Sequence, residues 1–203
     1  MTKLKLGVLI SGRGSNLQAL IDACAVADYP AEIVIVISNR PNARGLERAV
    51  AVGIPIQVIE HTAYSDRENF DRDVDAALRT VGVELVCLAG FMRLLSAWLV
   101  EQWPDRIVNI HPSLLPAFKG TDSHAQVLAA GVEVSGCTVH FVVPEMDAGP
   151  IILQAEVPVL PGDDEDSLAA RVLTAEHQCY PHAVRLIAEN RVTVTDGRAV
   201  IAN

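Results

Sequence analysis

Basic side chains are scarce in this chain, and long apolar runs are missing from it. The sequence has 16 lysine and arginine residues against 25 aspartate and glutamate residues, for a formal net charge of -9 at pH 7. Proteins bind phosphate backbones through a surplus of basic residues, so we expect no nucleic-acid partner. No apolar run approaches the ~20 residues of a membrane-spanning helix, so we expect no membrane partner either.

Cysteine is also rare, and no secretion signal is evident. Cys24, Cys87, Cys137 and Cys179 are widely spaced and form no CxxC pair, which indicates reduced and mostly buried thiols. The first predicted strand begins at Leu4, which leaves no room for the basic and apolar regions of a signal peptide. Together these features predict a cytoplasmic protein.

The six histidines show no HExxH motif or similar metal-binding spacing, so we expect no metal site. We interpret His140 as a structural residue of its strand and His61 as a surface residue. The sequence contains no sustained heptad repeat and no isolated apolar stripe. The oligomeric state therefore cannot be predicted from it.

What the chain does contain is an alternation of predicted strands and helices. Half of its 203 residues are hydrophobic and a fifth are charged, a balance typical of globular domains large enough to bury a core. The strand-helix order predicts parallel βαβ units in a doubly wound α/β sheet, mostly parallel and Rossmann-like. Strands are predicted over 4–10, 32–38, 56–59 and 84–89, and helices over 15–27, 43–52, 65–80 and 94–102.

The rhythm changes in the second half of the chain. A loop is predicted over 113–123, followed by strands over 134–143 and 151–159. A helix begins near the acidic segment 163–166, with a kink or break at Pro181. A C-terminal β-hairpin with an Asp-Gly turn closes the chain over 192–200. We expect one domain over 1–203, with its βαβ part over about 1–105 and the remaining elements over about 106–203.

The most informative motif is Asn109-Ile110-His111-Pro112-Ser113-Leu114-Leu115-Pro116, which ends an apolar run that starts at Arg106. Side chains alternate along a strand, so Asn109 and His111 should share one face while Ile110 faces the core. In open α/β sheets ligands bind beyond the carboxyl ends of the strands. The motif therefore predicts polar chemistry at this strand end.

Asp147 lies in a Gly/Pro-flanked segment between two late strands and is the third candidate for chemistry. A carboxylate beside an imidazole favours imidazolium, and it can also accept a proton directly or through water. An amide and an imidazolium are together suited to stabilising a developing oxyanion. Ser113 lacks the Gly-x-Ser-x-Gly elbow, which argues against a serine hydrolase.

A glycine loop, Ser11-Gly12-Arg13-Gly14-Ser15-Asn16, separates the first strand from the first helix. Backbone N–H groups at such a helix start favour an anion such as phosphate, although a tight turn with Ser15 as N-cap is the alternative. The loop lacks the third glycine of the dinucleotide fingerprint, where Leu17 stands, and the Lys-Ser/Thr of a Walker loop. We therefore expect phosphate or sugar-phosphate binding, and the loop disfavours NAD.

Three further features remain open from the residues alone. Arg67 lies in a first helical turn, where a cation opposes the dipole, so it could bind an anionic ligand or face solvent. Glu176 is typical of a solvated helix face. The apolar segment around Gly90, from Leu88 to Leu95, indicates core by default but could also form a ligand wall.

These motifs resemble the folate-dependent formyltransferases over nearly the whole chain, from Gly7 to about Asn190. The resemblance rests on the 109–116 motif and on Asp147-Ala148-Gly149-Pro150-Ile151, with Leu88-Ala89-Gly90-Phe91-Met92-Arg93 in support. The glycine loop together with Glu176-His177 points to the members that act on glycinamide ribonucleotide. The resemblance implies 10-formyltetrahydrofolate as co-substrate and no metal.

The resemblance also implies roles for individual residues. Asn109, His111 and Asp147 match the catalytic set. Substrate phosphate and ribose would be held by Gly14, Ser15 and Asn16, and the glycinamide end by Leu173, Thr174, Ala175 and Glu176. Folate would be bound by Arg67, Met92, Arg93, Leu94, Leu95, Asn109, Val143, Pro144, Glu145, Met146 and Asp147. The chain departs from the family pattern at Arg13 and at Asp122. These two differences leave the contacts of their loops with the substrate in doubt.

Three alternatives stay open beside transfer to the ribonucleotide. A formyltetrahydrofolate deformylase would use the same trio to direct water at the formyl group, but such enzymes carry an added N-terminal domain. Methionyl-tRNA formyltransferase is also disfavoured. It would be expected to carry a further C-terminal domain, and the acidic charge of this chain does not favour a nucleic-acid substrate. A catalytically silent nucleotide- or folate-binding module is disfavoured by the intact trio.

Overall fold

The computed structural model describes residues 2–202 and contains two sheets flanked by helices. In the seven-stranded sheet the strand order is β3-β2-β1-β4-β5-β6-β7, and β8 and β9 form a separate pair. The elements in chain order are β1 (Leu4–Ile10), α1 (Ser15–Cys24), β2 (Ala31–Ser38), α2 (Gly45–Ala51), β3 (Ile56–Val58), α3 (Arg67–Thr80), β4 (Leu85–Leu88), α4 (Ala97–Gln102), β5 (Ile107–His111), α5 (Ser123–Ala130), β6 (Val134–Phe141), β7 (Ile151–Pro158), α6 (Glu165–Ala188), β8 (Val192–Thr195) and β9 (Arg198–Ile201).

The predicted doubly wound, mostly parallel α/β architecture is confirmed. Strand β1 pairs in parallel with β2 and β4, and β2 pairs in parallel with β3. Strand β6 instead pairs with β7 in antiparallel orientation. The C-terminal hairpin is confirmed too, with Asp196 and Gly197 at positive φ between β8 and β9, as a tight hairpin turn requires.

Residue contacts group the chain into two compact units, Met1–Val108 and Asn109–Asn203. In the first unit β1 is buried along most of its length, since strands lie on both of its edges; Leu6, Val8 and Leu9 are fully buried. In the second unit α6 packs on β6 and β7 and buries Leu168, Val172 and Tyr180. Both cores are built from the apolar runs that predicted the strands and helices.

Several local predictions are wrong. Helix α3 begins at Arg67 and not at residue 65, and it is capped by Asp66, whose side chain accepts a hydrogen bond from the Asn69 N–H at 2.8 Å. Helix α6 continues through Pro181 without a break. Helix α5 is absent from the sequence prediction, because its eight residues carry a weak apolar periodicity.

The four cysteines are free, and three of them are buried while Cys24 is partly exposed, so the prediction of mostly buried thiols is confirmed. Among the helices of residues 2–202, none is both long enough and apolar enough to cross a membrane.

Two aspartates stabilise the amino end of α6 in different ways. The Asp164 side chain accepts a hydrogen bond from the Ser167 N–H at 2.8 Å, while the Ser167 hydroxyl accepts one from the Asp164 N–H at 2.9 Å. Asp163 receives two hydrogen bonds from the Arg171 guanidinium, at 2.7 and 3.0 Å. The Arg171 guanidinium, followed by the Leu160 N–H, holds the pKa of Asp163 well below its ordinary value of 3.8.

We expect Asp163→Asn to lower the midpoint of urea unfolding at about pH 6. A carboxyl whose pKa is lowered by folding stabilises the protein above its unfolded pKa, and this contribution is lost as the pH falls through the folded pKa. The deficit relative to wild type should therefore shrink as the pH drops below 3.8. Asp166→Asn, in the first turn of α6, is the matched control. A deficit that stays constant with pH would contradict this role of Asp163.

Candidate active site

The end of β5 brings Asn109 and His111 to the polar site of the second unit. Ile110 between them is buried, and His111 is only 4% exposed. Asn109 is partly exposed, so its amide remains accessible. This burial agrees with a strand whose alternate residues face different surroundings.

His111 and Asp147 lie side by side, as the sequence predicted. The His111 Nδ1 atom is 3.5 Å from Asp147 Oδ2, and the two side chains are almost completely buried. The His111 Nε2 atom is 2.9 Å from the carbonyl oxygen of Phe118. A carbonyl only accepts hydrogen bonds, so Nε2 carries a hydrogen and the ring is held with Nδ1 towards the carboxylate.

Asp147 is aimed by an unusual backbone conformation. Its φ of 50° lies in the left-handed region, which aspartate tolerates better than most residues. Its Oδ2 also accepts a hydrogen bond from the Gly120 N–H at 2.8 Å. Two residues further on, a Cβ at Gly149 would lie 1.8 Å from the Phe141 carbonyl oxygen, so only glycine permits this close approach of the two segments.

His140 lies between Asn109 and Asp147, a position that sequence reasoning did not find. Its Nε2 lies 3.3 Å from Asn109 Nδ2 and 3.8 Å from Asp147 Oδ1. Its Nδ1 donates to the Phe141 carbonyl oxygen at 2.9 Å, which leaves Nε2 of a neutral ring free to accept from the Asn109 amide. Burial lowers the pKa of His140 and so favours this neutral form.

The sequence predicted His140 to be a structural residue of its strand, and in the structure it also borders Asn109 and Asp147. Its position near the carboxyl end of β6 was the available signal, because β6 lies beside β5 in the sheet and polar residues at such ends tend to meet. The interpretation of His61 as a surface residue is also incomplete, since its Nδ1 donates to the Asn39 carbonyl oxygen at 3.0 Å.

Ser113 is a structural residue of the loop after β5. It is fully buried, and its hydroxyl donates to the Ala117 carbonyl oxygen at 2.7 Å. A hydroxyl held in this way is not placed to act as a nucleophile, in agreement with the sequence. The site thus offers amide and imidazole N–H donors beside a carboxylate, a set suited to stabilising an oxyanion and moving a proton.

The loop after β6 and part of α6 carry the other residues that the sequence assigned in this unit. Glu176 is buried, at 6% exposed, so the expectation of a solvated helix face is wrong. Leu173 and Ala175 are partly exposed and Thr174 is exposed. In the loop, Asp147 is partly buried, and the residues that precede it are exposed or partly so: Val143, Pro144, Glu145 and Met146.

The glycine loop of the first unit forms a tight turn that leads into α1. Gly14 is the N-cap residue of α1 with φ 70°, and Ser15 is the first helical residue, so Ser15 is not the N-cap. A Cβ at Gly14 would lie 2.6 Å from the Cα of Gly45, while a Cβ at Gly12 would meet nothing within 4 Å. The Gly45 N–H donates to the Gly12 carbonyl oxygen at 3.0 Å.

A buried serine links this loop to the segment after β4. The Ser11 hydroxyl donates to Asn39 Oδ1 at 2.6 Å and accepts from the Met92 N–H at 2.8 Å. The Ser11 N–H also donates to the Gly90 carbonyl oxygen at 3.1 Å. Sequence reasoning did not find this contact, because 81 residues separate Ser11 from Met92.

The segment after β4 is part core and part exposed apolar surface. Leu88 and Phe91 are buried, whereas Met92 is 68% and Leu94 53% exposed. The default expectation of core is therefore wrong for Met92 and Leu94. The remaining assigned residues of this unit are Arg93 and Leu95, both partly exposed, the exposed Arg67 of α3, and Asn16, which is buried at the start of α1.

The chain also matches a known protein family over most of its length. The formyl transferase family model matches residues 4–184, so the chain belongs to the formyl transferase family. The chain is 44% identical to the phosphoribosylglycinamide formyltransferase of Escherichia coli, over 97% of this chain and 92% of that protein. It is 52% identical to the trifunctional purine biosynthetic protein adenosine-3 of Gallus gallus over 95% of this chain, but it spans only 19% of the length of that relative.

Solved structures give the same fold. Glycinamide ribonucleotide transformylase 1 from Symbiobacterium toebii is 48% identical and superposes with a TM-score of 0.97, covering 99% of this chain and 95% of that one. A formyltetrahydrofolate deformylase from Pseudomonas syringae is 27% identical with a TM-score of 0.93, covering 100% of this chain and 67% of that one. The fold is thus shared by transferring and hydrolysing relatives, while the sequence is more similar to the transferases.

The turn at Gly14 generates a stability prediction. Gly14→Ala should lower the free energy of unfolding by about 1–3 kcal/mol, because alanine is strained at this φ and its Cβ would press on Gly45. Gly12→Ala, in the same loop but with open space, should change it by less than about 0.5 kcal/mol. Urea unfolding of both variants measures this difference, and equal losses would contradict the close approach of Gly14 to Gly45.

Proposed function

We propose that the chain transfers the formyl group of 10-formyltetrahydrofolate to the amine of 5'-phosphoribosylglycinamide, a step of de novo purine biosynthesis. The observation that carries this proposal is the arrangement of Asn109, His111 and Asp147, with His140 beside Asn109 and the carboxylate. The similarity to phosphoribosylglycinamide formyltransferases over nearly the whole chain supports it.

The reaction begins when the amine nitrogen of the ribonucleotide attacks the formyl carbon. The carbonyl oxygen becomes an oxyanion in a tetrahedral intermediate, which the Asn109 amide and the Nδ1–H of protonated His111 stabilise as N–H donors. His140 accepts one hydrogen of the Asn109 amide, which leaves the second N–H for the oxyanion. Each such donor is typically worth on the order of 10²- to 10³-fold in rate.

Asp147 completes the reaction by moving a proton. Its carboxylate lies beside His111 Nδ1 and accepts the proton of the attacking amine, directly or through water. The bond from the formyl carbon to N10 of folate then breaks, the carbonyl re-forms, and N10 takes up a proton. The reaction needs no covalent enzyme intermediate. This agrees with Ser113, which is buried and hydrogen-bonded and so is not placed to act as a nucleophile.

The two substrates make different demands on the chain. In the first unit the substrate phosphate is held by the backbone N–H groups at the start of α1, with Gly14, Ser15 and Asn16 around phosphate and ribose. Glu176 and residues 173–175 are assigned to the glycinamide end. Arg67, residues 92–95, Asn109 and residues 143–147 are assigned to folate.

Other predictions from the sequence stay predictions. These are the cytoplasmic location, the single-domain organisation, and the lack of nucleic-acid, membrane and metal partners.

The experiment that tests the proposed function follows folate absorbance with a 10-formyl folate analogue, with and without the ribonucleotide. Turnover that requires the ribonucleotide supports the transferase. Equal turnover in water alone would identify a deformylase, the function of one structural relative. Folate binding without turnover in either condition would identify a silent binding module.

Removing either member of the His111–Asp147 pair should abolish most turnover without unfolding the protein. We expect His111→Ala and Asp147→Asn each to lower kcat by on the order of 10²- to 10³-fold. His182→Ala, an exposed histidine of α6, is the matched control and should retain the wild-type kcat. Stopped assays at saturating substrates, with circular dichroism as a folding check, measure the effect. A near wild-type kcat in either folded variant would overturn the mechanism.

A negative charge at the start of α1 should weaken ribonucleotide binding specifically. Ser15→Glu is expected to raise the KM for the ribonucleotide about tenfold, because the carboxylate repels the substrate phosphate at short range. Ser15→Gln, of similar size but neutral, separates charge from bulk and should raise this KM by less. The KM for folate serves as internal reference. An unchanged ribonucleotide KM in Ser15→Glu would argue against phosphate binding by this loop.

A further inference from the structure

Residues 90–96 form a segment with exposed apolar side chains in its middle and fixed backbone at its ends. We call it the 90–96 segment. Met92 and Leu94 are more than half exposed, while Phe91 is buried. Large apolar side chains in water cost free energy, so their exposure indicates a surface that a ligand covers. In the proposed function this ligand is folate.

The amino end of the segment is held by Ser11, through the hydrogen bonds of its N–H to Gly90 and of its hydroxyl with Met92. Ser11 is itself buried and tied to Asn39, so this anchor has little freedom to move. A hydroxyl that both donates and accepts a hydrogen bond restricts the positions of its neighbours more than a single hydrogen bond would.

The carboxyl end of the segment is held by Asp71, a buried aspartate of α3 that no part of the proposed chemistry uses. Its side-chain Oδ2 accepts a hydrogen bond from the Ser96 N–H at 2.5 Å, and the residue is 1% exposed. Ser96 is also the N-cap of α4, where its hydroxyl accepts from the Leu99 N–H at 3.2 Å. Asp71 therefore fixes the point at which the segment ends and α4 begins.

A carboxylate in this position is costly, which argues that its role is more than stability. Burial raises the pKa of Asp71, and the hydrogen bond from Ser96 and the charges of Arg93 and Arg67 act in the opposite direction. Its Oδ1 has no hydrogen-bond partner among the described residues. An apolar residue would fill such a site at less cost, so the carboxylate is better explained by what it positions.

The groups around Asp71 are those that the proposed function assigns to folate. Arg93 belongs to the 90–96 segment, and its guanidinium lies 5.2 Å from the ring centre of Phe70, the residue before Asp71. Arg67 lies one helical turn before Asp71 on α3. The positive charges of both arginines act to lower the pKa of Asp71.

We propose that Asp71 is a positioning residue for folate: it holds the carboxyl end of the 90–96 segment, opposite the Ser11 anchor, without touching folate itself. This inference rests on the proposed function for the identity of the ligand. The anchoring of the segment does not depend on that identity and can be measured in the free protein.

The test compares Asp71→Ala and Asp71→Asn with wild type. In the free protein, Asp71→Ala should speed hydrogen exchange of the Ser96 amide at least about tenfold, because its acceptor is gone. The side-chain amide oxygen introduced by Asp71→Asn can still accept this hydrogen bond, so that variant should keep most of the protection. With the 10-formyl folate analogue, Asp71→Ala should weaken binding measured by calorimetry about tenfold and Asp71→Asn by less.

Steady-state kinetics separates positioning from general damage. The folate KM should rise in Asp71→Ala while the ribonucleotide KM stays within about twofold. Asp73→Asn, an exposed aspartate on the same helix, is the matched control. If Asp71→Ala does not fold, Asp71→Leu fills the space while still removing the acceptor.

Unchanged Ser96 exchange in a folded variant lacking the acceptor would overturn the anchor, whatever the chain binds. Faster exchange with unchanged folate affinity would overturn the positioning role. A loss in Asp71→Asn as large as in Asp71→Ala would also overturn it, because the hydrogen bond would then be irrelevant. A wild-type protein that binds no folate would overturn the proposed function and this role together, while the exchange result would still report on the anchor.

Discussion

The contact between the Asp147 carboxylate and two histidines is the interaction on which the candidate site depends. Oδ2 lies beside His111 and accepts the Gly120 N–H, while Oδ1 faces His140. Each histidine has its other ring nitrogen fixed by a backbone carbonyl, so the rings differ in role: His140 is neutral and accepts, whereas His111 presents Nδ1 to the carboxylate. The carboxylate thus lies beside an acceptor, His140, which holds the Asn109 amide, and beside a donor, His111.

This arrangement is possible because backbone segments approach each other more closely than side chains would permit. Gly149 lies against the Phe141 carbonyl oxygen and Gly136 against that of Ala155, and a Cβ at either position would overlap these oxygens. The carbonyl of Phe141 also fixes the His140 ring. The antiparallel pairing of β6 and β7, the turn that carries Asp147 and the tautomer of His140 are therefore linked through backbone geometry.

The contrast between what the sequence predicted and what it missed follows from the range of the interactions. The strands and the pairing of His111 with Asp147 were predictable, because apolar runs and strand-end motifs are local signals. Three features were not predictable, because each depends on a partner far along the chain. They are the position of His140, the burial of Glu176 and the Ser11–Met92 contact. Exposure of Met92 and Leu94 was missed because an apolar segment in isolation indicates core.

Both units hold their functional loops with buried hydroxyls instead of regular pairing. Ser11 does so in the first unit, and Thr138 does so in the second, where it donates to the Ser113 carbonyl oxygen and accepts from the Leu115 N–H. A loop that must expose polar or apolar groups to a ligand cannot be fixed by packing those same groups. A buried hydroxyl with both donor and acceptor filled fixes the backbone and leaves the side chains of the loop available. The cost of burying each hydroxyl is offset by its hydrogen bonds, so rigidity at these sites does not require a ligand to be bound.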